Sequence, residues 1–171
     1  MTAVSKSTMV SIPYTEFFGL IDTRSNIADP RDADGVKNRT FVYDAIPFVR
    51  AYDFNLLPYI VFELPMLSSG LKSVDGSKGE REWEHRLIVR STRHGSSNSY
   101  TDVGRSDMLS ISDDLLELFN DVSKLQLLRS CSNLRDVVIE KVSSNVLVVD
   151  GKDIFEAEFR LSYATRMVVS S

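Results

Sequence analysis

Phe155-Glu156-Ala157-Glu158-Phe159-Arg160-Leu161-Ser162-Tyr163-Ala164-Thr165-Arg166-Met167-Val168-Val169 is the stretch that decides how this chain is read. Its odd positions, Phe155, Ala157, Phe159, Leu161, Tyr163, Thr165, Met167 and Val169, are apolar or part-apolar. Between them stand Glu156, Glu158, Arg160, Ser162 and Arg166, which are charged or polar. Successive side chains of a strand point to opposite faces, so the alternation predicts a long strand, half buried, with one wet face.

Upstream, Val137–Val142 and Val146–Val149 read as two short β-rich runs, with Gly151 in the turn before the last strand. Before them, Ile111, Leu115, Leu118, Val122 and Leu125 recur at spacings of four and three residues and predict an amphipathic helix over 107–129. Ser110 and Asp113 resemble a capping box at its start, and Lys124 and Arg129 suit the negative end of its dipole. Glu82–Thr92 alternates again, with Trp83, His85, Leu87 and Val89 on one side and Glu84, Arg86 and Arg90 on the other. Leu56–Leu67 is a β run bounded by Pro58 and Pro65, and Thr40–Val49 reads as an extended arm. Residues 68–81, with the hairpin signal Asp75-Gly76, and residues 93–106 read as long polar loops. Ser11 is expected to cap a short N-terminal helix with Pro13 in its first turn.

These segments predict one domain over 1–171 of the α+β class. The sheet is expected to be antiparallel or mixed, with about four main strands in β-β-α-β-β order, one long amphipathic helix packed on it and a short N-terminal helix. Residues 1–11 are expected to be a flexible N-terminus, 22–57 an irregular extended arm and 58–169 the core.

With 171 residues, 43 % hydrophobic and 26 % charged, the composition is that of an ordinary globular chain. The net charge of −4 argues against wrapping nucleic acid, which needs a basic face. Residues 1–10 carry no apolar stretch of signal-peptide length, and the longest apolar run, Leu56–Phe62, is far too short to span a bilayer. Cys131 is the single cysteine, so no intrachain disulfide forms, and at the end of an apolar helix it reads as a buried thiol.

The search for chemistry finds no catalytic, cofactor-binding or metal residues to assign. His85 shares a strand face with Trp83 and Leu87 and reads as a packed, hydrogen-bonded histidine, and His94 as a solvated one. Asp29, Asp32, Asp34 and Gly35 suggest a calcium loop. Aligning Gly35 on the invariant glycine puts Pro30 at the first ligand position and Phe41 at the last, so the motif fails. No glycine-rich phosphate motif is present. Arg81, Arg86, Arg90, Arg93 and Arg105 cluster along the second strand and its loops, either as a solvated face interleaved with glutamates or as a charged subunit seam. With Asp75 and Lys78 on the 68–81 loop they are the candidate contacts to other subunits or to a partner surface.

Asn38-Arg39-Thr40-Phe41-Val42-Tyr43, followed by Pro58-Tyr59-Ile60-Val61-Phe62, resembles the start of the sheet in tail terminator (tail completion) proteins of long-tailed bacteriophages. Trp83-Glu84-His85-Arg86-Leu87-Ile88-Val89, the helix over 107–129 and Phe155–Tyr163 look like that family's next strand, helix and closing pair. The resemblance implies a virion protein, made in the host cytoplasm, that sits as a hexameric ring at the tail–neck junction. It implies contact with the major tail tube protein on one side and the head completion or connector protein on the other. DNA would pass through the lumen without sequence-specific binding, and no membrane, cofactor or enzymatic role is implied. Another neck or head-completion protein, a small ferredoxin-like ligand-binding domain and an enzyme built on the 68–106 loops remain as alternatives.

Overall fold

The computed structural model describes residues 6–22, 27, 40–47, 56–68, 72–75, 78–92, 103–121 and 134–168. In chain order these form α1 (Lys6–Asp22), β1 (Val42–Tyr43), β2 (Tyr59–Phe62), β3 (Met66–Leu67), β4 (Lys72–Asp75), β5 (Lys78–Thr92), α2 (Val103–Asn120), β6 (Leu134–Val149) and β7 (Lys152–Val168). The strands make one sheet in the order β1-β2-β5-β7-β6, with β3 and β4 also paired to β5. The β1–β2 pair is parallel and the other pairs are antiparallel.

This overturns the expected sheet of about four strands in β-β-α-β-β order. Seven strands are present among the described residues, and strand residues outnumber helical ones. The additional strands are short. β4 lies in the 68–81 segment that reads as loop, β1 in the expected extended arm and β3 at the end of the expected Leu56–Leu67 run, and pairing onto β2 and β5 makes each a separate strand.

Other boundaries move for local reasons. The two β-rich runs upstream of Gly151 are one 16-residue strand, β6, whose register shifts at Arg135/Val138 and Lys141/Ser143. Those shifts mark bulges, the first holding Asp136 at a φ of 51°. β6 returns into β7 through Asp150 and Gly151, both at positive φ (49° and 73°), the backbone a two-residue type I′ hairpin requires. α1 starts at Lys6, inside the segment expected to be loose, so Pro13 lies within the helix rather than in its first turn. α2 starts at Val103, which places Ser110 and Asp113 in its interior instead of at a cap. Val122, Lys124, Leu125 and Arg129 of the expected helix lie outside the described residues, as do the acidic turn at 29–35, His94 and Cys131.

The frame of the molecule is the β5–β7 ladder, continuous from Lys78↔Val168 to Thr92↔Ile154. Both helices cover one face of it. The odd-numbered side chains of β7 point there, and Phe159, Leu161 and Tyr163 pack with Leu87 and Val89 of β5 and Ile111, Leu115 and Leu118 of α2. Phe17 of α1 joins Phe119 of α2, their ring centroids 5.9 Å apart. Each fully buried side chain of this size contributes roughly 1.5–3 kcal/mol, so this layer is the main source of stability.

The opposite face is not simply wet, as the alternation implies. Leu57, Tyr59, Val61, Ile88 and Ile154 form a second buried cluster on it.

Candidate functional site

Three of the arginines singled out in the sequence lie on the second strand proper, β5. Arg86 donates through Nε and Nη2 to the two carboxylate oxygens of Glu158, at 2.8 and 3.0 Å, and has Glu63 at 3.7 Å. Arg90 reaches Glu156 at 2.6 Å and the Tyr59 hydroxyl at 3.3 Å. The β5–β7 register places Arg90 directly opposite Glu156. Burial works against the charged Arg90 guanidinium, but the Tyr59 hydroxyl and Glu156 more than offset it and hold its pKa above the ordinary value. The hydrogen bond to Arg86 holds the Glu158 carboxyl below its usual range. Arg160 of β7 pairs with Glu84 at 3.0 Å. These charges are bound within the chain's own ladder. Arg81 is half-buried, and its Nε is enclosed without a hydrogen-bond partner among the described residues.

The remaining candidates scatter. Arg105 is exposed on the first turns of α2. Asp75 ends β4 and stands opposite Lys78, the first residue of β5, so the 68–81 segment is largely strand rather than loop. Arg93 lies outside the described residues.

His85 is fully buried, as its strand face predicts. Its ring stacks between Phe62 (4.5 Å) and Tyr163 (5.5 Å), with Tyr14 at 5.8 Å and Phe17 edge-on at 6.1 Å. Nδ1 lies 3.0 Å from the Glu63 carbonyl oxygen. A carbonyl only accepts, so the hydrogen sits on Nδ1 and Nε2 is left as an acceptor with no partner among the described residues. Burial pushes the imidazole pKa down to about 4, slightly opposed by the Glu63 carbonyl, so the ring is neutral at pH 7. Trp83 donates to Thr165 Oγ1 at 2.8 Å beside it. With these partners the histidine is part of the packing between α1 and the sheet.

The surfaces that sequence reasoning missed are the edges of the sheet. β6 is the last strand of its path, and Val138, Val142, Val146, Leu147 and Val148 on it are exposed, Val148 by 70 %. The half from Ser143 to Val149 keeps unbroken register with β7 and carries no charge, bulge or proline. Edge strands are usually blunted by those devices, and this half of β6 carries none of them while exposing Val146, Leu147 and Val148. Between α2 and this hairpin lies a groove of about 380 Å³ with Met108, Leu109, Val146 and Phe155 in its lining and Arg105 and Lys141 beside them.

On the other side of the sheet, Leu64, Met66 and Leu67, in and beside β3, are exposed by 68, 61 and 50 %. Met66 stands opposite Glu84, and the neighbouring surface from Ser68 to Glu140 is lined by Glu80, Glu82, Glu84 and Asp136, with Arg160 among them. The signal for both edges was present as Glu63-Leu64-Pro65-Met66-Leu67 and Val146-Leu147-Val148-Val149. Apolar runs of this kind read as buried strand unless the strand order is known.

Among the described residues no group of His, Cys, Asp and Glu is placed to hold a metal ion, and no helix is long and apolar enough to cross a membrane. Comparison with protein-family models and with curated proteins finds no match for this chain.

Proposed function

We propose that this chain is a structural virion protein that caps the head-proximal end of a phage tail tube as a closed ring, hexameric in the family it resembles. Covering the last tube ring stops polymerisation, and the far face of the cap receives the head completion or connector protein. The observation that supports this reading is the pair of uncovered apolar patches on opposite edges of one sheet, at β3 and at β6. A ring closes through heterologous contacts, in which each copy offers two different surfaces. A stiff ladder with open edges supplies both without rearrangement. The net charge of −4 suits a lumen through which DNA moves without adhering.

The test is to assemble tubes from purified tail tube protein with and without this chain and to image them by electron microscopy. Shortened tubes with ring-shaped density on one end are expected. Tubes of unchanged length with bare ends contradict the proposal.

A further inference from the structure

We infer that α1 is a cover released by acid: protonation of His85 lifts the helix from the aromatic row Phe62–His85–Tyr163 while the β5–β7 ladder stays formed. This device does not depend on the ring proposed above.

The geometry restricts where a second proton can sit. Nδ1 already donates to the Glu63 carbonyl at 3.0 Å, so the added hydrogen goes to Nε2, which is enclosed without a partner among the described residues. Phe62 and Tyr163 stack on the imidazole and turn their faces to it. Those faces attract a cation, but the Nε2–H bond lies in the plane of the imidazole, where they offer no acceptor.

The neighbouring groups do not supply a counter-charge. The Tyr14 and Tyr163 hydroxyls stay protonated at pH 7 and below, since burial raises both pKa values and Asp44 raises that of Tyr14 further. Glu63 turns its carboxylate toward Arg86 at 3.7 Å, and Glu84 pairs with Arg160 at 3.0 Å. On α1 Glu16 is exposed and Asp22 ends the helix, while α2 brings Phe119 against Phe17. An imidazolium in this row is an unpaired charge in a closed apolar site, and it reaches water only if one of the covering elements moves.

The element free to move is α1. Phe62 and Tyr163 stand on β2 and β7, both hydrogen-bonded to β5. α1 instead lies over the row through side chains, with Tyr14 5.3 Å from Phe62 and Phe17 5.3 Å from Tyr163. It belongs to no strand pair, so its departure breaks none of the ladder. The helix is also weak in itself, because Pro13 inside it removes a backbone donor and Gly19 is a poor helix former.

The test is hydrogen exchange read by mass spectrometry on the full chain at pH 7, 6 and 5, expressed as protection factors so that the intrinsic pH dependence of exchange is divided out. His85 titrates at about 4 under the helix and near the ordinary 6.5 once uncovered, so the open population rises about 20-fold from pH 7 to pH 5. Amides of α1 are expected to lose protection by that factor, with those of β5 and β7 unchanged. His85→Phe and His85→Leu carry no titrating ring and are expected to show no such fall, and either variant that folds decides the point. Constant protection of α1 in the wild type, a loss shared equally by β5 and β7, or the same loss in a variant overturns the inference.

Discussion

The centre of the sheet and its edges are built on opposite rules. Along β5 and β7 the ion pairs are answered within the chain, Arg90 by Glu156 and Tyr59, Arg86 by Glu158, Arg160 by Glu84, with Trp83 donating to Thr165, while Arg81 Nε, His85 Nε2, Ser91 Oγ and the Tyr163 hydroxyl are enclosed there without a partner among the described residues. At β3 and β6 large apolar side chains are exposed. Arg86 and Arg90 of the arginine-rich strand, which in the sequence reads as a solvated face or a subunit seam, make ion pairs within the sheet, while the apolar edges are exposed.

The comparison breaks first at Arg90. Its side chain is 13 % exposed and that of Glu156 8 %, so Arg90→Met leaves a buried carboxylate without its partner. A loss of about 3–5 kcal/mol is expected in urea unfolding. The double variant Arg90→Met with Glu156→Leu should recover most of it, because removing both charges removes the unpaired one. A single variant as stable as wild type would mean that the centre is not closed in the way described.

The next effect depends on pH. The folded His85 titrates near 4 and an unfolded histidine near 6.5, so between those values the unfolded state binds the proton and the folded state resists it. Stability from this group is complete above about pH 6.5 and is lost as pH falls toward 4, by about 3 kcal/mol in full. Unfolding free energies from pH 7 to 5 check the slope, and His85→Phe should flatten it. An equal slope in that variant would assign the pH dependence elsewhere.

Smaller still is Trp83→Phe, which removes the donor to buried Thr165 and is expected to cost about 1 kcal/mol in thermal unfolding. At the edge, Val148→Lys should leave stability within about 0.5 kcal/mol of wild type, because the side chain is 70 % exposed. A large destabilisation there would show that β6 is covered within the chain, and the contrast between centre and edge would fail.

What could be read from the residues follows the range of the interactions. The β7 alternation and the α2 stripe of Ile111, Leu115 and Leu118 are local periodicities, and they place the buried odd-numbered side chains of β7 and the buried stripe of α2, but not the burial of Glu156 and Ala164 on the face expected to be wet. Asp150-Gly151 is equally local, and its positive φ values follow from its residue types. Strand status of β4 depends on β5 lying alongside, so the loop-like composition of 68–81 misleads there. The ion pairs depend on register. Arg90 and Glu156 are 66 positions apart, and only the β5–β7 pairing shows that they face each other. The edges were the least legible, since being an edge is a property of strand order and not of any segment.

The most direct test of an assembly built on those edges is the solution mass of the full chain by sedimentation equilibrium across micromolar concentrations. A closed ring predicts a mass about six times that of the 19.3 kDa chain, unchanged on dilution over the range where the contact holds. A mass of 19.3 kDa at every concentration would contradict it.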